Sequence, residues 1–182
     1  MPKIGVIVGS TRTGSWNRRI AQDLASQLPD GFDVVDIAID NLPFYSSEWD
    51  TPETLPESVA TLRATANSCD GFIIASPEFN RSIPGVLKNA LDILSRPYGA
   101  TTFAGKPTLV ATATPGAMGG FGANRDLRTV LAFLDAQIIS QPEIYVSFVH
   151  KLYDGDTLNP ETSAFFHTAA EKFVAAFHLV AK

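Results

Sequence analysis

Cysteine is almost absent from the sequence, and long hydrophobic runs are absent altogether. The one cysteine, Cys69, cannot form an internal disulfide, and a lone cysteine beside a hydrophobic run is usually a small buried side chain rather than a reactive thiol. No stretch approaches the roughly 18 consecutive apolar residues of a membrane span. A secretory signal is also missing, because Lys3 precedes only a short apolar run. We therefore expect a cytoplasmic protein with no membrane partner.

An excess of basic residues is missing as well. The chain of 182 residues has 14 Lys and Arg against 19 Asp and Glu, and its net charge of −5 argues against nucleic acid or anionic lipid as a partner. The charges are unevenly distributed, since residues 1–22 contain four basic residues and no acid, whereas residues 23–62 contain nine acids and no base. The first segment is therefore a place where a small anion could bind.

The sequence offers little for metal binding or acid–base catalysis. All three histidines fall in the last third of the chain, and although His167 and Glu171 are one helical turn apart, no third ligand is spaced to join them. We expect no metal site and no acid–base triad, and we name no catalytic residue.

Five short apolar runs alternate with segments of helical period, and this order predicts an α/β fold. The runs span residues 3–9, 32–39, 71–77, 107–113 and 137–148. Most of them show little polar alternation, which is typical of strands covered on both faces in a parallel sheet with helices on either side. The commonest five-stranded sheet of this kind has strand order 2-1-3-4-5 and binds its ligand beside strand 1, at the carboxyl ends of the strands. We expect one domain over residues 1–182.

The helical period is clearest in the first segment between strands. Trp16, Ile20, Leu24 and Leu28 recur every four residues until Pro29 and Gly31 end the helix. The other predicted helices run from Thr51 or Thr54 to about Ser68, from Pro84 to Ser95, over 122–135, and from Asn159-Pro160 onward with an apolar stripe of Phe165, Ala169, Phe173 and Phe177. Residues 40–56 form a long loop whose aromatic residues are either a lid or oligomer contact, or ordinary surface anchors.

The loop after the first strand, GSTRTGSWN at residues 9–17, is rich in hydrogen-bond donors. It precedes a helix, where backbone N–H groups and the helix dipole favour an anion. The side-chain donors are Ser10, Thr11, Arg12, Thr13, Ser15 and Asn17. They predict a phosphate monoester as the ligand, since neither a Walker A loop nor G-x-G-x-x-G is present. The alternative is that these residues are ordinary helix caps.

Two further loops follow strands 3 and 4 and should lie at the same edge of the sheet. In residues 76–85 two prolines stiffen a segment in which Phe79 offers an apolar face and Asn80 offers hydrogen bonds, which would suit a flat heterocycle. In residues 114–122 Thr114 can donate a hydrogen bond, and four glycines permit close backbone approach or simply mobility. The alternative for Phe79 is that its ring belongs to the core.

At these residues the sequence resembles the NADPH-dependent FMN reductase family, which includes quinone, azo-dye and chromate reductases. The pattern G-S-x-R-x-x-S-x-N appears at residues 9–17, and P-E-Y-N-x-S-I-P-G appears at residues 77–85 with Phe79 in place of the usual tyrosine. The resemblance covers nearly the whole chain, including segments 87–92, 104–107 and 131–143. It implies a flavodoxin-like three-layer sandwich, a single FMN-binding domain, and a homodimer or homotetramer.

The resemblance also implies which residues bind the cofactor FMN. The phosphate would be held by Ser10, Arg12, Ser15 and Asn17, with the Trp16 backbone beside it. The isoalloxazine ring would be bordered by Pro77, Glu78, Phe79 and Asn80, and from the other side by Thr114 and Gly116, with Ser82 a weaker candidate.

The implied activity is that of an NAD(P)H-dependent FMN reductase or quinone reductase. A hydride would pass from NADPH or NADH through FMN to a small-molecule electron acceptor, namely a quinone, an azo compound, a metal oxyanion or a flavin, by a ping-pong mechanism. One alternative is a flavodoxin-like electron carrier that does not itself oxidise NAD(P)H. Another is a signalling or phosphatase domain, which the absence of an acidic cluster after strand 1 and of a Cys-x5-Arg loop disfavours.

Overall fold

A computed structural model describes residues 1–51 and 53–180, with the side chains of 178–180 left aside. The strands are β1 (Lys3–Val8), β2 (Asp33–Ile37), β3 (Gly71–Ser76), β4 (Pro107–Ala113), β5 (Gln137–Ile138), β6 (Ile144–Val146), β7 (Tyr153–Asp154) and β8 (Thr157–Leu158). The helices are α1 (Trp16–Ala25), α2 (Glu57–Asn67), α3 (Gly85–Leu94), α4 (Phe121–Phe133) and α5 (Pro160–Val180). No helix among the described residues is both long and apolar enough to cross a membrane.

The main sheet is parallel, and its order β2-β1-β3-β4-β5 confirms the prediction. Val8 pairs with Ala75, and Ala75 pairs with Ala111, so β1, β3 and β4 run in step toward one edge. The loops that follow these three strands therefore start side by side.

The fifth strand differs from the prediction, because residues 137–148 do not form one strand. They form β5 and β6, which pair separately with the start and the end of β4. Pro142 lies in the interruption and has no N–H to donate to a ladder. Side chains of α4 bind carbonyls on either side of the break, with Arg128 Nη1 donating to Ile139 O at 3.1 Å and Asn124 Nδ2 donating to Ile144 O at 3.0 Å.

Both faces of the sheet are buried along β1, β3 and β4, as continuous apolar runs predict. Val6 and Val8 pack with α1 and α5, whereas Ile7 between them packs with α2 and α3 on the other face. This alternation explains why β1 shows no polar alternation, since each of these residues faces one of two cores.

Several helix boundaries differ from the prediction. Helix α2 begins at Glu57 rather than at Thr51 or Thr54, because Pro56 takes an extended conformation directly before it, and Ser47–Asp50 form a separate 3-10 turn. In α5 the stripe is shifted by one residue at its start, since Phe166 is fully buried and Phe165 is 38% exposed.

A small antiparallel hairpin, β7–β8, was not predicted and packs on α1. Arg19 lies 3.7 Å from the centroid of the Tyr153 ring and donates to Gly155 O at 2.9 Å. Trp16 stacks on Tyr153 with 5.6 Å between ring centroids, and the Tyr153 hydroxyl donates to Asp23. The hairpin thus holds the first turns of α1 in place.

Candidate cofactor site

Three contacts join the loops after β1, β3 and β4. The N–H of Gly9 donates to Ala75 O at 2.8 Å, which ties the start of the first loop to the end of β3. The Asn17 side chain bonds to Ala113 at the end of β4, and the Glu78 carboxylate accepts from the N–H of Ala123 at 3.2 Å. The structure therefore brings together the three loops that the sequence analysis placed at one edge.

The N-terminus of α1 is poorly satisfied within the protein. Ser15 occupies the N-cap position and is only 5% exposed, yet within the described residues its hydroxyl makes no capping hydrogen bond. The first turn, Trp16–Arg19, contains two arginines and no acid. A helix start with unpaired N–H groups, a nearby hydroxyl and positive side chains is suited to an anion. Ser15 therefore occupies the cap position without a capping side-chain bond, and its contact with an anion stays a prediction.

Asn17 is part of the framework that holds the start of α1 against the sheet. Its side chain is buried, Nδ2 donates to Ala113 O at 2.9 Å, and Oδ1 accepts from Ala113 N at 3.0 Å. The amide thus replaces a ladder partner for the last residue of β4 and fixes α1 against it. A phosphate contact by Asn17 stays a prediction, and only its second amide N–H and its backbone N–H are left for that contact.

Beside the loop lies a cavity of about 410 Å³. One wall is formed by residues 10–14 and the opposite wall by Ile37–Asp40, after β2. Arg12 is exposed there, with Nη1 3.4 Å from Thr13 O. The second wall was missed in the sequence, although the strand order 2-1-3 places the loop after β2 next to the loop after β1.

Residues 79–82 form a tight hairpin beyond β3. Phe79 and Ser82 exchange two backbone hydrogen bonds of 2.9 Å, and the two residues between them have φ values of 50° at Asn80 and 70° at Arg81. These are features of a type I′ turn. The Phe79 side chain is 58% exposed, so the alternative that it belongs to the core is wrong. Its ring is available as the apolar face of a binding platform.

Glu78 connects this hairpin to α4. Its carboxylate accepts from the N–H of Ala123 in the first turn of the helix, and its other oxygen lies 3.4 Å from Arg81 Nη1. A Cβ at Gly122 would come within 2.7 Å of Arg81 O, so glycine lets the hairpin rest directly on the helix start. The carboxylate of Glu78 is therefore engaged in fixing one loop against another.

The glycine-rich loop after β4 has two distinct parts. Gly119 and Gly120 are buried with φ of 59° and 78°, and a Cβ at Gly119 would come within 2.8 Å of the Tyr145 backbone, so they serve packing rather than ligand approach. Gly116 is exposed, and the Thr114 hydroxyl donates to Gly116 O at 3.2 Å. Thr114 and Gly116 are thus the part of this loop that can border a ligand.

Cys69 and His167 lie apart from these loops. Cys69 is buried, and burial raises the pKa of its thiol above the ordinary value. His167 lies 3.8 Å from Glu171 on the exposed side of α5. Across residues 1–51 and 53–180, no group of three or more potential ligands is arranged to hold a metal ion. Neither Cys69 nor His167 is therefore placed to react at the three loops.

The residues of these loops match the family that the motifs already suggested. The family model described as NADPH-dependent FMN reductase matches residues 2–151. The chain belongs to this family. Its members are enzymes that use FMN and NAD(P)H, and the parallel sheet is the flavodoxin-like fold of the solved members.

Individual relatives agree with this assignment. A quinone reductase of Pseudomonas putida is 39% identical over 173 residues, covering 94% of this chain and 92% of the relative. A 2-hydroxy-1,4-benzoquinone reductase of a Burkholderia species is 38% identical over 175 residues, covering 95% and 94%. The solved structure of FerB, a flavoenzyme NAD(P)H:(acceptor) oxidoreductase from Paracoccus denitrificans, is 30% identical with a TM-score of 0.89, covering 98% of each chain.

Proposed function

We propose that this member of the NADPH-dependent FMN reductase family reduces quinones with electrons from NADPH or NADH through bound FMN. The proposal draws on relatives whose names specify quinone and 2-hydroxy-1,4-benzoquinone reduction. Azo compounds, metal oxyanions and free flavins are further acceptors within the proposal. Two half-reactions at one open face would give ping-pong kinetics.

The observation that carries the proposal is the start of α1, where Ser15 leaves its hydroxyl uncommitted beside unpaired backbone N–H groups. This donor set fits the terminal phosphate of FMN, which carries about two negative charges and accepts several hydrogen bonds. Ser10, Arg12 and the Trp16 backbone would complete the phosphate site. Arg12 suits that role because a guanidinium donates to phosphate oxygens in pairs.

The other two loops would position the flavin ring. Pro77, Phe79 and Asn80 would border one side, and Thr114 and Gly116 the other, with Ser82 acting through its backbone pairing with Phe79. FMN, when bound, supplies the hydride chemistry. The work of the chain is to orient the ring, to shield it from water on one face, and to leave the other face open to NAD(P)H and acceptor. Glu78 contributes by holding the second loop on α4.

The test is a flavin and turnover assay on the purified protein. We expect yellow flavin absorbance after incubation with FMN, anaerobic bleaching by NADPH or NADH, and quinone-dependent oxidation of the coenzyme with parallel double-reciprocal lines. Bleaching would fail in an electron carrier that does not oxidise NAD(P)H. Intersecting lines would contradict a shared site, and a colourless protein that takes up no FMN would overturn the proposal.

We further propose that residues 1–182 act as one FMN-binding domain of a cytoplasmic homodimer or homotetramer. Exposed aromatic side chains support self-association, since Phe121 and Tyr145 stack edge to face at 5.7 Å while each stays at least 40% exposed, and Phe133 is 82% exposed. Sedimentation velocity would measure the oligomeric state. A monomer at micromolar concentration would contradict this part of the proposal.

A further inference from the structure

Arg81 adopts a backbone conformation that an arginine rarely takes. Its φ of 70° follows a φ of 50° at Asn80, in a turn whose second position usually holds glycine. A left-handed conformation is strained for a residue with a Cβ, and asparagine tolerates it better than arginine does. Strained residues that persist are concentrated at binding sites, so the side chain of Arg81 calls for a functional explanation.

The surrounding structure holds Arg81 in this conformation. The backbone hydrogen bonds between Phe79 and Ser82 close the turn, and the carbonyl of Arg81 lies against Gly122 at the start of α4. The guanidinium is tethered on one side, because Nη1 lies 3.4 Å from Glu78 Oε1, while 77% of the side chain is exposed. Most of its five N–H donors therefore face solvent at the tip of the loop that borders the flavin ring.

The two arginines of α1 are engaged elsewhere. Arg18 lies 3.6 Å from Asp36, and Arg19 is bound to Gly155 and Asp156 of the β7–β8 hairpin. Arg12 belongs to the phosphate loop after β1. Arg81 is thus a cation placed on the ring side of the site, in a protein whose net charge of −5 would otherwise repel an anionic substrate.

We propose that Arg81 binds a phosphate group of NADPH or NADH, and so recruits the coenzyme to the open face of the flavin site. This inference rests on the proposed function, because it assigns the coenzyme to that same site. A guanidinium is suited to both candidate groups, the pyrophosphate shared by the two coenzymes and the 2′-phosphate that NADPH alone carries.

The test uses Arg81→Gly and Arg81→Asn in the FMN-loaded protein. Both residues tolerate positive φ, so we expect the melting temperature to stay equal or rise. Binding of NADP⁺ and NAD⁺ is measured by calorimetry, and we expect the Kd for NADP⁺ to rise roughly tenfold or more, as for loss of a charge-assisted contact. Lys172→Ala, which removes an exposed positive charge from α5, is the control and should leave both Kd values unchanged.

Phosphate-free electron donors separate this role from others. Reduction of the enzyme by N-benzyl-1,4-dihydronicotinamide should be unaffected by Arg81→Gly, and so should the Kd for FMN. Weaker binding of NADP⁺ alone assigns the 2′-phosphate, and weaker binding of both coenzymes assigns the pyrophosphate. Unchanged Kd values for both, or an equal loss of FMN affinity, would overturn the role of Arg81 while leaving the proposed function standing. Failure of the unmodified protein to bind FMN would overturn both.

Discussion

The two ends of the sheet carry cavities that differ in size and in lining. At the carboxyl ends of the strands, the cavity of about 410 Å³ is lined on one side by hydroxyl-bearing residues and Arg12, and on the other by apolar residues and Asp40. At the amino ends, a larger cavity of about 930 Å³ is lined largely by apolar side chains such as Phe32, Val174 and Phe177. The smaller cavity is the one beside the cofactor loops.

The two charged residues that line the larger cavity, Asp70 and Lys106, already contact other parts of the protein. Asp70 accepts a hydrogen bond from the N–H of Lys3 at 2.7 Å, and Lys106 Nζ lies 3.4 Å from Asn67 O and 5.6 Å from the centroid of the Phe72 ring. Burial lowers the pKa of Lys106, which shows that its surroundings disfavour the charge. The volume of a cavity therefore does not identify it as a binding site. Hydrogen-bond donors left without a partner at the start of a helix are the better indication.

The largest effect is expected at Asn17, which frames the carboxyl end. Replacing it with alanine leaves the buried N–H and C=O of Ala113 without partners, and we expect the free energy of unfolding to fall by about 2–4 kcal/mol. Urea denaturation would measure the change. Ser10→Ala, in the same loop, should stay within about 0.5 kcal/mol of the original protein. Equal stability of both variants would contradict the framework role.

The next largest effect is expected on the affinity for FMN, and it compares residues at the two ends of the sheet. Arg12→Ala and Ser15→Ala should each raise the Kd for FMN by roughly tenfold to a hundredfold, because each removes a donor to phosphate. Riboflavin, which lacks the phosphate, should bind both variants as it binds the original protein. Lys106→Ala at the other end should leave FMN binding unchanged. An equal loss of riboflavin binding would place the defect in the ring site.

A smaller effect is expected for the hairpin that braces α1. Burial, together with the hydrogen bond to Asp23, raises the pKa of Tyr153 above its ordinary value. The folded protein therefore holds this proton more tightly than the unfolded chain, so the hydroxyl stabilises fully below about pH 10 and progressively less as the pH rises further. Tyr153→Phe should cost about 1–2 kcal/mol at neutral pH.

Denaturation across alkaline pH would check this expectation. The original protein should lose more stability than Tyr153→Phe as the pH rises above about 10, because only the original protein carries the Tyr153 hydroxyl. The raised pKa values of Tyr45 and Tyr145 contribute equally in both proteins. Parallel stability curves for the two proteins would show that the Tyr153 hydroxyl does not stabilise the hairpin.

The smallest effect is expected at Phe79, where the family pattern has tyrosine. The ring is largely exposed, so Phe79→Tyr should change the free energy of unfolding by less than about 0.5 kcal/mol. We expect a change of a few-fold at most in the KM for quinone, since the added hydroxyl supplies one exposed hydrogen bond. A KM change of more than tenfold would show that this hydroxyl position orients the acceptor.

Local patterns predicted the sheet and the loops well, because a strand buried on both faces leaves a continuous apolar run. The prediction of one strand over residues 137–148 is wrong, because Pro142 and the polar residues beside it divide the apolar residues between two short strands. The β7–β8 hairpin also had a signal, Gly155-Asp156, the two residues between the paired Asp154 and Thr157, with Gly155 at a φ of 57°.

Contacts between segments that lie far apart in the chain could not be predicted from the sequence alone. Asn17 was identified as a site residue, but its partner Ala113 is 96 residues away, and no local pattern links the two. Glu78 was likewise assigned to the ring, whereas its carboxylate binds the first turn of α4. In both cases only the three-dimensional packing of loops on helices reveals the immediate partner of the residue, and its contact with the cofactor stays a prediction.

The interruption of the fifth strand has a consequence for self-assembly into fibrils. On one border of the sheet, β5 and β6 have only two and three residues, and on the other border β2 exposes the carboxylates of Asp33 and Asp36. A strand of a neighbouring molecule could not pair stably with either border, because the strands on one border are too short and the strand on the other border is charged. The sheet is thereby protected against the edge-to-edge growth that threatens an open parallel sheet with an apolar interior.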